Sequence, residues 1–130
     1  MIKHIIFDWQ GVLEQITGLN LELIDWIKEN KDKYEFSILT NCPGDFARKL
    51  KDLELENSFK TVVNPENRLV RKPQKEAYQT LLEEVGRNPG ECLFIDDSAT
   101  NVQAARSLNI DSLLYQDNKD LFKKFKKKGL

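Results

Sequence analysis

Apolar and polar positions alternate along this chain with two different periods. Ile5-Ile6-Phe7 and Cys92 to Ile95 are short, unbroken apolar runs, and Glu35 to Leu39, Phe59 to Val63 and Ile110 to Tyr115 are short, mainly apolar ones. Such runs read as strands covered on both faces, the condition of a parallel sheet. Between them apolar residues recur at helical spacing: Leu23, Ile24 and Ile27; Phe46, Leu50 and Leu53; Ala77, Tyr78, Leu81, Leu82 and Val85; Val102, Ala105 and Leu108; Leu121, Phe122 and Phe125. Asn20, Asp45 and Ser98 are placed as N-caps, Pro73 suits a first helical position, and Gly86 suits a helix end. Gln10 to Gly18 is polar and glycine-containing and is expected to be a loop. Strand-then-helix units in succession predict an α/β, three-layer Rossmann-like domain over residues 1–130, with a five-stranded parallel sheet, right-handed connections and helices on both faces.

Composition narrows this only a little. The 40% hydrophobic and 32% charged content is that of an ordinary soluble protein. No apolar run is long enough to span a bilayer, and the N-terminus does not read as a signal peptide. Cys42 and Cys92 form neither a metal-binding spacing nor a disulfide framework, so a reducing, cytoplasmic location is expected. The net charge of −1 hides an asymmetry, because residues 117–130 hold six lysines against two aspartates. The bland account is a terminal helix docked through Leu121, Phe122 and Phe125 with its lysines in water. That tail leaves a nucleic-acid partner open, whereas no membrane partner is expected.

Chemistry collects where the strands end. In a parallel sheet all carboxyl ends share one edge, which is where open α/β sheets place their ligands. That edge would gather Asp8, Thr40 with Asn41, and Asp96 with Asp97, and Lys72 precedes a helix whose N-terminus faces the same way. Gly11 would let the chain turn tightly beside Asp8. Clustered carboxylates raise one another's pKa values unless a cation joins them, and a hard divalent cation suits oxygen ligands. Mg²⁺ fits best, since it binds through a few carboxylates and keeps several waters. The hydroxyl, amide, ammonium and helix N-termini beside it are groups that hold a phosphoryl group.

The order of these motifs resembles that of the haloacid-dehalogenase-like hydrolases. The resemblance rests on Ile5-Ile6-Phe7-Asp8-Trp9-Gln10-Gly11-Val12, Ser37-Ile38-Leu39-Thr40-Asn41, Arg71-Lys72-Pro73, and Phe94-Ile95-Asp96-Asp97-Ser98 continuing through Asn101 to Ala104-Ala105. The last is similar to the phosphoglycolate-phosphatase-like branch. The resemblance implies a phosphatase in which Asp8 attacks phosphorus and forms an aspartyl-phosphate that water hydrolyses. It implies Mg²⁺ held by the Asp8 carboxylate, the Gln10 carbonyl and Asp97, with Asp96 acting through water. Thr40 and Asn41 would bind phosphoryl oxygens, and Lys72 would neutralise charge on nucleophile and phosphate. The catalytic set so implied is Asp8, Gln10, Thr40 and Lys72.

Two departures from the family pattern shape the expectation. Gln10 stands where the family's phosphatases usually carry a second aspartate as general acid and base. An amide cannot exchange a proton near neutral pH, and such catalysis is worth ~10²–10⁴-fold. A slow phosphatase is therefore expected, with a catalytically degenerate binding or regulatory protein as the alternative. The other departure is size: neither Asp8 to Thr40 nor Asn64 to Lys72 has room for a cap domain. An open site excludes water poorly, so a phosphorylated macromolecule is an expected substrate, bound by a monomer or weak homo-oligomer. Dehalogenase and phosphonate-cleaving members also vary at the second position, but they draw essential groups from a cap. A two-component receiver domain combines similar residues in a different order, with its acidic pair on the first strand.

Overall fold

Short apolar runs become strands here because helices cover both of their faces. The computed structural model describes residues 1–130. The elements run β1 (His4–Phe7), β2 (Glu14–Gln15), β3 (Gly18–Leu19), α1 (Leu21–Glu29), β4 (Glu35–Leu39), α2 (Phe46–Asp52), β5 (Val62–Val63), α3 (Lys75–Val85), β6 (Cys92–Asp96), α4 (Ala99–Ser107), β7 (Asp111–Leu114) and α5 (Asn118–Lys127). Five strands form one parallel sheet, as the sequence predicts, in the order β5-β4-β1-β6-β7, and no second, capping domain is inserted.

The alternation of side chains along β1 builds the three layers. Ile5 and Phe7 face a core completed by Leu23 and Ile27 of α1, Leu50 of α2 and Phe125 of α5. Ile6 faces the other way, toward Tyr78 and Leu81 of α3 and Ala105 of α4. Each large side chain buried in this way contributes about 1.5–3 kcal/mol. Sliding β1 by one residue would exchange its two faces, so the sandwich fixes where the strand ends. That end is Asp8. The ring of Trp26 lies 4.6 Å from that of Phe125 and docks α5 on α1. Lys124 and Lys128 pair with Asp120 and Asp111, while Lys123, Lys126 and Lys127 stand in water. No helix is long and apolar enough to cross a membrane.

Three local expectations are corrected. The stretch after Asp8 is not a plain loop: β2 and β3 form an antiparallel hairpin, with Glu14 opposite Leu19 and Gln15 opposite Gly18. Gln15 Nε2 donates to the Tyr115 hydroxyl (3.1 Å), and Glu14 accepts from Trp9 Nε1 (3.1 Å) and Lys49 Nζ (3.2 Å), so the hairpin is tied down on two sides. The strand expected over Phe59–Val63 narrows to Val62–Val63 at the sheet edge. Pro73 lies ahead of α3, whose N-cap is Gln74, rather than in its first turn.

Candidate active site

Each candidate residue reaches the cleft because a secondary-structure element ends beside it. Asp8 prolongs the β1 ladder by one bond, its N–H donating to the Ile95 carbonyl at 2.9 Å. The chain then turns at once: the Trp9 carbonyl accepts from Val12, Leu13 and Glu14, and Gly11 adopts φ +88°. A β-carbon at Gly11 would lie 2.1 Å from Asp97 Oδ2, so glycine is required by close approach as well as by backbone conformation. The Gln10 carbonyl receives no backbone donor, and its side chain makes no hydrogen bond.

Thr40 follows β4, its Oγ1 accepting from the Cys42 N–H at 3.0 Å. Asn41 uses both sides of its carboxamide on the Lys72 backbone, accepting from the Lys72 N–H at 2.8 Å and donating to the Lys72 carbonyl at 2.9 Å. This clamp delivers the buried Lys72 ammonium between two carboxylates, 2.9 Å from Asp8 Oδ1 and 2.7 Å from Asp96 Oδ2. Asp96, at the end of β6, is held further by the Ser98 N–H at 2.9 Å and Asn101 Nδ2 at 3.0 Å. Ser98 caps α4, as its position predicts.

Asp8, Gln10, Thr40, Asn41, Lys72, Asp96 and Asp97 all line one cleft of about 460 Å³. Carboxylate oxygens of Asp8, Asp96 and Asp97 lie within 4.8 Å of one another, an arrangement that could hold a metal ion. Lys72 supplies a single buried cation against them, leaving surplus negative charge. Burial, partly offset by Lys72 and reinforced by Asp96, pushes the Asp8 carboxyl up to about 7. Burial and the neighbouring Asp96 raise that of Asp97 as well.

Several participants were not predicted from the sequence. Asn101, one helical turn beyond Asp96, orients it; only its place in the fourth motif hinted at this. The Asn41 clamp had no sequence signal, because Asn41 and Lys72 are 31 residues apart. Cys42 borders the cleft, its thiol facing the Pro43 carbonyl at 3.6 Å. His4 sits at the opposite end of β1, away from the cleft.

Known proteins resemble this chain in sequence and in fold. Phosphoglycolate phosphatase of Pseudomonas putida is 27% identical over 90 residues, covering 68% of this chain and 32% of that protein. Phosphoglycolate phosphatase 1 of Pseudomonas aeruginosa is 26% identical over 104 residues, covering 79% and 37%. The chain thus spans about a third of the length of these curated relatives. Among solved structures, an uncharacterized protein of Corynebacterium glutamicum superposes with a TM-score of 0.80 at 24% identity, over 96% of this chain and 93% of that one. A HAD family enzyme of Bacteroides thetaiotaomicron, solved with magnesium and inorganic phosphate, gives 0.77 at 18% identity over 94% and 100%. These structural likenesses reflect the fold. The model of the haloacid dehalogenase-like hydrolase family matches residues 3–115, from before β1 to the end of the sheet, and the chain belongs to that family.

Proposed function

We propose that this chain is a Mg²⁺-dependent phosphatase that works through an aspartyl-phosphate on Asp8 and is slowed by Gln10. The observation that carries the reading is the surplus of carboxylate: buried Asp8 and Asp96 share one ammonium, and exposed Asp97 brings a third carboxylate within 4.8 Å of them. A divalent cation suits that donor set. Gly11, whose missing β-carbon lets the Asp97 carboxylate approach, and the unclaimed Gln10 carbonyl fit the same purpose. Mg²⁺ held by Asp8, the Gln10 carbonyl and Asp97, with Asp96 behind it, would offset the surplus charge and draw phosphoryl oxygens toward Asp8.

Asp8 Oδ2 is the natural nucleophile, since Oδ1 is occupied by Lys72. It attacks phosphorus and the ester oxygen leaves with its electron pair. The Thr40 hydroxyl and Lys72 hold phosphoryl oxygens against the repulsion between two anions. Asn41, with its carboxamide committed to the Lys72 backbone, acts mainly by positioning that lysine. Water then attacks the phosphorus of the acyl phosphate and regenerates the Asp8 carboxylate. At both steps Gln10 orients a partner but neither gives nor takes the proton, which the leaving oxygen draws from solvent in the first step and the attacking water gives up to solvent in the second. Glu14, the carboxylate nearest in sequence, is held by Trp9 and Lys49 and does not border this cleft. The absence of a substitute base also favours the second reading, in which the protein binds Mg²⁺ and phosphorylated ligands without releasing product.

A phosphatase panel with Mg²⁺ on wild type, Asp8→Asn and Gln10→Asp separates these readings. Slow wild-type turnover of p-nitrophenyl phosphate should fall at least about a thousandfold in Asp8→Asn. It should rise on the order of 10²-fold in Gln10→Asp. Beryllofluoride capture on Asp8 with no turnover even in Gln10→Asp would favour the binding protein. Activity surviving Asp8→Asn would exclude Asp8 as the nucleophile.

A further inference from the structure

The chain has five arginines, and four of them are engaged. Arg48 pairs with Asp52, Arg68 with Glu84, and Arg87 with Glu35 and Glu91, while Arg106 donates to the Ser112 carbonyl. Arg71 meets no carboxylate and donates to no carbonyl, yet it is exposed on the wall of the same cleft as Asp8 and Lys72. Its backbone is fixed on the carboxyl side. The Arg71 carbonyl accepts from the Gln74 N–H at 2.9 Å, and the next residue is gripped by Asn41. Only the guanidinium is free to swing over the cleft mouth.

The phosphoryl end of the cleft has no use for this charge once a divalent cation joins Lys72, because three carboxylates then face three units of positive charge. A phosphate's remaining anionic groups would find the interior balanced and Arg71 as the one unpaired cation at the rim. We propose that Arg71 is a specificity-determining residue that grips a second anionic group of the substrate, a carboxylate or a further phosphoryl group. This rests on the reading of the cleft as a phosphoryl site and extends it to a substrate class. A planar guanidinium pairs with either oxyanion through two parallel hydrogen bonds, which an ammonium cannot match.

The test measures binding, so it is independent of turnover. Full-length protein saturated with Mg²⁺ is titrated calorimetrically with ethylphosphonate, phosphonoacetate and methylenediphosphonate, none of which can be hydrolysed. At least one of the two doubly anionic ligands should bind about tenfold or more tightly than ethylphosphonate, and which one does so identifies the second group. Arg71→Met should erase that margin and Arg71→Lys should keep part of it. Equal affinity for all three ligands in wild type would overturn the proposal. So would an Arg71→Met variant that weakens all three alike, because Arg71 would then belong to the first phosphoryl group. Failure of every ligand to bind would instead remove the phosphoryl-site reading itself. Binding without any turnover would remove only the phosphatase reading.

Discussion

The two ends of β1 carry two ionic clusters that settle their charge in opposite ways. At the amino end, buried His4 lies between Glu35 Oε1 (3.2 Å) and Ser37 Oγ (2.8 Å), and Glu35 also receives Lys60 (3.1 Å) and Arg87 (3.0 Å). Burial works against ionisation of Glu35, but hydrogen bonds from Lys60, His4 and Arg87 outweigh it and hold the carboxyl down at about 2. Burial also lowers the pKa of His4, which favours its neutral form. At the carboxyl end, Asp8 and Asp96 share one ammonium with Asp97 close beside them, and burial leads in raising Asp8 to about 7. A cluster that completes its own hydrogen bonds and charge is structural. One that folding leaves short of positive charge is prepared for a ligand.

Removing the one cation from the deficient end should have the largest effect. Lys72→Met leaves Asp8 and Asp96 facing each other and should cost about 3–5 kcal/mol, read from denaturant midpoints of metal-free protein. A cost below that of breaking the Glu35 cluster would reverse the contrast.

The pH profile of metal-free protein should show the two ends pulling in opposite directions. Because the folded chain raises Asp8 from 3.8 to about 7, its contribution to stability is complete below 3.8 and is lost as pH rises to about 7. Glu35, lowered from 4.5 to about 2, contributes fully above 4.5 and loses that contribution as pH falls toward 2. Stability should therefore decline on the neutral side in wild type and decline less in Asp8→Asn, where the raised Asp97 carboxyl remains. On the acid side, Glu35→Gln should remove much of the decline.

Smaller changes sharpen the contrast. Glu35→Gln keeps the shape of a half-exposed group but weakens its three pairings, for a loss of about 1–2 kcal/mol. Asp97→Asn should do the reverse and stabilise metal-free protein by up to about 1 kcal/mol, because it relieves like-charge repulsion. The same variant should abolish the thermal shift that Mg²⁺ produces in wild type. A Mg²⁺ shift that persists in Asp97→Asn would place the cation elsewhere.

Much of this was legible in the chain. Runs such as Ile5-Ile6-Phe7 and Phe94-Ile95 announce strands buried on both faces, and Asn20, Asp45 and Ser98 cap the helices they were expected to cap. The hairpin was not legible, because Glu14-Gln15 and Gly18-Leu19 are too short to show a period of two and are stabilised from outside. Gln15 reaches Tyr115 across 100 residues of sequence. The strand at Phe59–Val63 looked longer than it is because an apolar residue at an edge need not join the ladder. Within the site, residue types and order pointed to Asp8, Gln10, Thr40, Asn41, Lys72, Asp96 and Asp97, but the clamp of Asn41 on the Lys72 backbone and the grip of Asn101 on Asp96 did not show.

Local patterning by itself determined which segments form the parallel sheet and the helices, and so which residues stand where those strands stop, because the alternation of apolar and polar groups acts over a few neighbouring positions. Only the tertiary structure decided that Lys72 would be the lone ammonium between Asp8 and Asp96, and that Arg71 would be left without a partner. Charge balance depends on distances of a few ångströms between groups far apart in the chain, and those distances exist only after the sheet has closed.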